Sequence, residues 1–198
     1  TETGRHAGAR HDDLAERRGL EREWVRAAIG QAVYLPNVPR LMLPPARGTA
    51  KNWRVYRSRF IDPVRIRAGV RFWERNREAL ARAQEQFGVP PEIIVGIVGG
   101  ETIYGQNMGS VRVIDALATL TFDFPARHPR AQARQAFFQD ELEQFLSLAS
   151  RTGIDPLTPL GSYAGAMGMP QFMPSSWVRY AIDFDGDGAQ EILCVWQS

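Results

Sequence analysis

The chain holds three short stretches whose side chains could do chemistry, and the first is a carboxylate set in an apolar helix. In PPEIIVGIVGGETIY, from Pro90 to Tyr104, the residues Ile94, Ile97, Val98 and Glu101 fall at i, i+3, i+4 and i+7. That spacing is the stripe of a helix that faces a core, so it predicts that Glu101 points inward or lines a cleft. A carboxylate in such a place loses solvation, which favours its neutral, proton-donating form and suits it to general acid catalysis. The competing reading is a glutamate at the C-terminal end of the helix with its head in solvent, because helix phase slips by a residue or two near Gly99 and Gly100.

The second stretch is GSYAGAMGMPQFMPSSW, from Gly161 to Trp177. Its small residues let backbone N–H and C=O groups approach a ligand, while Gln171 offers an amide and Phe172 a flat apolar face, a combination that holds sugars. The competing reading is a glycine-rich turn whose methionines plug a core. Pro174, Ser175 and Ser176 mark the entry to another helix, with a serine expected as its N-cap.

The third stretch is DFDGDG. Asp183, Asp185 and Asp187 occupy positions 1, 3 and 5 of a calcium loop, Gly188 takes the sharp-turn position 6, and the Ala189 carbonyl is available at position 7. Position 12, a bidentate glutamate in complete loops, is Cys194, and Glu191 at position 9 substitutes only in part. Three carboxylates in five residues fit cation binding better than a solvated turn, with weak affinity expected from the incomplete coordination sphere.

The elements that must position these groups read as mostly helical. At 198 residues and 44% hydrophobic, the chain can bury a substantial core. Its formal charge is +2, and its arginines mostly alternate with glutamate on solvent faces, which disfavours nucleic acid and leaves an acidic polymer compatible. The single cysteine excludes an internal disulfide or thiolate metal cluster, and no run reaches the length of a membrane span. A first residue of threonine predicts that something upstream has been lost, a leader or a lipid-bearing segment among the alternatives.

Residues 12–34 read as one helix, and Tyr34 to Thr49, with Pro36, Pro39, Pro44 and Pro45, as an extended surface connection. A long amphipathic helix is expected from Asp62 to Phe87, with Ile66, Val70, Trp73, Leu80 and Phe87 inward, stopped by Gly88. Pro91 and Glu92 then suit the first turn of the Glu101 helix. A helix from Arg134 to Ser150 carries Phe138, Leu142, Phe145, Leu146 and Ala149 on its stripe. Short extended pieces are expected between Ala46 and Ile61. Asp115 and Asp123 read as helix-end or turn residues, and His128, in the basic loop Ala126 to Ala133, as exposed rather than catalytic.

Taken in order, VGIVGGETIYG, GSYAGAMGMPQFMPSS and DFDGDG resemble the membrane-bound lytic murein transglycosylase B family, and the likeness extends through KNWRVYRSRFIDPVRIRAGVRFWERN and RVIDALATLTFDFP. The resemblance implies a mainly α fold: a lysozyme-like core with a helical flank and a small β-containing part. Residues 1–198 are then one catalytic region, with 12–87 as the flank and its Pro-rich connection and 88–198 as the core lacking its C-terminal part. It implies cleavage of peptidoglycan glycan strands by a single glutamate, matched by Glu101, giving 1,6-anhydromuramyl ends. Ser162, Gln171 and Phe172 match positions near the muramyl residue, Tyr56 a cleft aromatic, and Asp183, Asp185, Asp187 and Ala189 a structural calcium loop not required for the chemistry. It also implies a monomer in the periplasm of a Gram-negative bacterium, on the outer membrane's periplasmic face if a lipid anchor preceded Thr1. The tail CVWQS departs from the family after EIL. That departure leaves a second expectation, a catalytically defective murein-binding module; a calcium-regulated interaction protein is the weakest alternative.

Overall fold

A computed structural model describes residues 13–44 and 52–181. In chain order the elements are α1 (residues 13–18), α2 (Arg22–Gly30), α3 (Val38–Leu41), α4 (Trp53–Ser58), α5 (Pro63–Arg75), α6 (Arg77–Phe87), α7 (Pro91–Thr102), β1 (Val111–Arg112), α8 (Val113–Phe122), α9 (Ala131–Thr152), β2 (Leu160–Gly161) and α10 (Pro174–Tyr180). The described chain is mainly α with one small antiparallel pair, in which Val111 faces Gly161 and Arg112 faces Leu160. The aspartates and the Ala189 carbonyl expected to hold calcium lie outside the described residues, as does Cys194.

Two compact units make up the chain. The first comprises described residues 13–44, 109–167 and 172–181, and its centre is α8, whose residues from Val113 to Thr121 are all buried. A helix apolar on every side is one surrounded by others, and α9, α3 and β1 pack on it. The α9 stripe is as the sequence predicts: Phe138, Leu142, Phe145, Leu146 and Ala149 are buried in this core. Each large side chain removed from water there contributes about 1.5–3 kcal/mol before entropy is counted. Asp115, in the first turn of α8, is buried and receives two hydrogen bonds from Arg112 (2.7 and 2.9 Å) and one from Val33 N–H (2.9 Å).

The second unit comprises described residues 52–108 with 168–171. Here α5 and α6 pack on α7, and Gly88 ends α6 in the left-handed conformation that only glycine adopts freely. Asp62 caps α5 by accepting from the N–H groups of Val64 and Arg65.

Several local expectations are corrected. The helix read over 12–34 breaks after residue 18, where Gly19 takes a positive φ, and resumes with Glu21 capping α2. The expected long helix from Asp62 to Phe87 is two, because Asn76 leaves helical geometry while its side-chain amide donates to the Phe72 carbonyl. The inward face of this pair is Ala68, Gly69, Leu80 and Ala83, with Ile66, Val70 and Phe87 exposed. Close approach of helices requires small residues, so bulk misleads about the buried face. The Pro-rich connection contains the short helix α3, in which Pro39 sits in the first turn. Residues 52–61 hold α4 rather than extended chain. No serine caps α10: Met173 is its N-cap and Pro174 its first residue.

Candidate active site

The buried stripe of α7 is Val95, Val98, Gly99 and Thr102, one position out of phase with the expected Ile94, Ile97, Val98 and Glu101. Glu101 is therefore exposed, correcting the inward placement, and Ile97 shares its exposed side. The phase is decided by Tyr104. Its ring fills the space over two glycines: a Cβ on Gly69 would lie 2.5 Å from the tyrosine hydroxyl, and one on Gly99 would lie 2.6 Å from Cζ and closer still to the hydroxyl. Phe72 covers the ring at 5.2 Å between centroids. Burial raises the Tyr104 phenol above its usual pKa, with the charge of Arg65 acting weakly against it.

The chain leaves α7 through three consecutive left-handed residues, Ile103, Tyr104 and Gly105, with φ of 53°, 58° and 84°. Such a conformation in two non-glycine residues costs energy that surrounding contacts must offset. Buried Thr102 supplies part of this, since its hydroxyl accepts from Gly105 N–H (3.0 Å) and donates to the Met169 carbonyl (3.0 Å). The Asn107 N–H closes the turn onto the Thr102 carbonyl at 2.8 Å. Glu101 thus projects from a helix end locked on both sides, and among the described residues no hydrogen bond or ion pair engages its carboxylate. Such a group can give a proton to an incoming acceptor and take one back.

Gln171 and Tyr56 belong to the same unit as Glu101. Gln171 has a positive φ of 51°, and its amide nitrogen donates to the carbonyls of Met108 (3.1 Å) and Gly168 (2.9 Å). Both its N–H groups are spent on backbone, leaving its amide oxygen for a ligand. Tyr56 is exposed on α4, between Trp53 and Phe60.

Ser162 and Phe172 belong to the first unit. The Ser162 hydroxyl oxygen accepts from the N–H groups of Ala164 (3.3 Å) and Ala166 (3.1 Å), so it organises the loop while its own proton stays available. Phe172 is paired with Met167 through two backbone hydrogen bonds (2.8 and 3.0 Å), and its half-buried ring packs against the core. Gly161 permits this fold-back, because any Cβ there would collide with the Ala166 carbonyl.

One supporting residue escaped sequence reading. Glu141 of α9 is 1% exposed, and its carboxylate accepts from Ser175 Oγ (2.6 Å) and Ser175 N–H (2.8 Å), satisfying an orphan donor of α10 directly after Phe172 and Met173. The signal was present as a glutamate on the Phe138 and Leu142 face of an otherwise apolar stripe. The carboxylates of Asp115 and Asp123 are occupied, Asp115 by Arg112 and Val33 and Asp123 by the Tyr34 hydroxyl at 2.5 Å. The Asp123 bond and some desolvation raise the Tyr34 pKa above its ordinary value. His128 is half-buried rather than exposed, edge-on to Phe124, and its Nδ1 accepts from Arg130 N–H.

Both units are built mainly of helices, and in the second the exposed Glu101 carboxylate stands at the end of α7. Residues 5–196 match the Transglycosylase SLT domain, and the chain belongs to that family. It is 44% identical over 185 residues to the membrane-bound lytic murein transglycosylase B of Escherichia coli K12, covering 89% of this chain and 49% of that protein. The E. coli lytic transglycosylase Slt35, solved in complex with calcium, superposes with a TM-score of 0.82 at 44% identity over 92% of this chain and 56% of that one. SltB3 of Pseudomonas aeruginosa, solved in complex with NAG-anhNAM-pentapeptide, gives a TM-score of 0.75 at 27% identity over 90% of this chain and 46% of that one. The chain spans about half the length of these relatives.

Proposed function

We propose that this chain is a peptidoglycan lytic transglycosylase, one catalytic region over residues 1–198, that cleaves the β-1,4 bond between MurNAc and GlcNAc with Glu101 as sole acid and base. The observation that carries the reading is the unpaired Glu101 carboxylate on the pinned end of α7, with Asp115 and Asp123 committed to other partners. Two-carboxylate glycosidases place their acid and its partner about 5–10 Å apart. A single acid suffices when the substrate's own acetamido group stabilises the oxocarbenium-like centre, as in substrate-assisted enzymes.

In the proposed sequence the Glu101 carboxyl gives its proton to the glycosidic oxygen as the C1–O bond breaks and the GlcNAc-side fragment leaves. The carboxylate then takes the proton of the muramyl C6 hydroxyl as that oxygen bonds to C1, closing the 1,6-anhydro ring. No water is consumed, and Glu101 ends protonated as it began. The anhNAM-containing ligand of SltB3 supports this product class. The Gln171 amide oxygen, the Ser162 hydroxyl and the Phe172 ring supply one acceptor, one donor and one apolar face for the muramyl residue, and Tyr56 another ring.

The donor set Asp183, Asp185, Asp187 and the Ala189 carbonyl is all oxygen and suits a hard cation such as Ca2+ as a structural ion. The calcium complex of Slt35 supports that assignment. We place the protein in the Gram-negative envelope, facing the periplasm, by its likeness to a membrane-bound relative. Among the described residues no helix is long and apolar enough to cross a membrane.

The exposure of Glu101 favours a second reading, a murein-binding module without turnover. Mass spectrometry of products released from purified sacculi separates the two. Anhydromuramyl products from the parent and none from Glu101→Gln support the enzyme; no products from either, with retained binding, support the module.

A further inference from the structure

No residue of α4 is buried, yet it carries a row of rings. Trp53, Tyr56 and Phe60 stand at i, i+3 and i+7, so they share one side of α4 and the turn that follows it. Trp53 and Tyr56 are stacked with centroids 5.7 Å apart and planes at 25°, and Tyr56 and Phe60 follow at 4.9 Å and 44°. The three are 70%, 55% and 38% exposed. Single exposed apolar residues are ordinary, whereas a contiguous exposed row marks a surface that binds something.

The charge around the row says what it binds. Arg54, Arg57 and Arg59 are interleaved with the rings, and residues 52–61 contain no acid. Arg65 lies 5.6 Å over the Phe60 ring and donates to the Arg59 carbonyl, tying the end of the row to α5. Rings that already lean on one another lose little rotamer freedom when a ligand lands. Flat π-faces with cations alongside suit a polymer that offers repeated CH-lined faces and carboxylates at intervals, and a peptidoglycan strand with its lactyl and peptide carboxylates has that chemistry.

We propose that Trp53 and Phe60 extend Tyr56 into a three-ring platform for an anionic glycan strand, with sugar faces on the rings and Arg54, Arg57 and Arg59 on its carboxylates. The inference rests on the proposed function for its choice of polymer but needs no turnover. The test is co-sedimentation with insoluble murein sacculi in a Glu101→Gln background, where binding is read without cleavage. Trp53→Ala and Phe60→Ala each weaken binding about two- to tenfold, the range expected for one ring contact. Trp53→Phe restores most of the loss, and Phe87→Ala, a ring 54% exposed at the end of α6, changes nothing. Unaltered binding by Trp53→Ala and Phe60→Ala, or no binding by the Glu101→Gln parent, overturns the proposal. So does ring-dependent binding to vesicles of anionic phospholipid with sacculus binding untouched, which makes the row a membrane contact. If the enzyme makes no anhydro product yet binds sacculi through Trp53, the catalytic reading fails and the platform stands.

Discussion

Adjacent glycines in α7 respond to the same substitution with opposite sign. Helix propensity favours alanine over glycine by about 0.8–1 kcal/mol at either position. At Gly100 nothing lies within 4 Å of a new Cβ, so Gly100→Ala keeps that gain. At Gly99 the new methyl meets the Tyr104 ring, which cannot retreat because Gly69 and Phe72 hold its other sides. Overpacking of this kind costs about 1–3 kcal/mol, so after the propensity gain Gly99→Ala is a net loss of up to about 2 kcal/mol. With about 2–4 °C per kcal/mol for a chain of this size, Gly99→Ala melts up to about 8 °C lower and Gly100→Ala about 2–4 °C higher than the parent. The assay is thermal unfolding followed by far-ultraviolet circular dichroism, with tryptophan fluorescence as a second probe. Tyr104→Phe, which removes the nearest atom, recovers part of the Gly99→Ala loss. Shifts of the same sign at Gly99 and Gly100 would refute the claim that Tyr104 sets the phase of α7.

Other outcomes follow from the same geometry. Glu101→Gln leaves the melting curve unchanged, since its carboxylate has no partner among the described residues, and lowers anhydromuramyl release at least about 100-fold. Glu141→Ala strands the Ser175 donors and costs about 2–4 kcal/mol, Glu141→Gln about half as much because the amide keeps one acceptor, and urea titrations of both with Ser175→Ala give a non-additive cycle. Tyr34 and Tyr104 both have raised pKa values, so each favours the neutral phenol in the fold; that contribution is complete below about pH 10 and is lost as pH rises through the folded values, which a melting series from pH 8 to 12 detects. Calcium at millimolar concentration raises the melting temperature, chelator reverses the rise, and Asp185→Asn abolishes the response.

The residue types and their local spacing settled several of the elements and where some of them end. The α9 stripe, the stop at Gly88, the start of α7 at Pro91 and the helix-end roles of Asp115 and Asp123 follow from periodicity and capping chemistry, which act over a few residues. The motif order likewise points to Glu101, the Gly161 loop and the aspartate loop. Orientation was a different matter. Glu101 and Thr102 are neighbours in one helix, and the sequence stripe favoured the wrong one for burial because it weighted apolar bulk. The buried face was chosen by a tyrosine that needs two glycines from two helices, a demand that no single-helix pattern contains. The same holds for Glu141, whose partner Ser175 is 34 residues away, and for the small-residue face of α5 and α6. Local free energies of a fraction of a kcal/mol per residue write the elements, whereas which side of each one meets its neighbour depends on steric fit between segments far apart in the chain, and only the tertiary structure decides that.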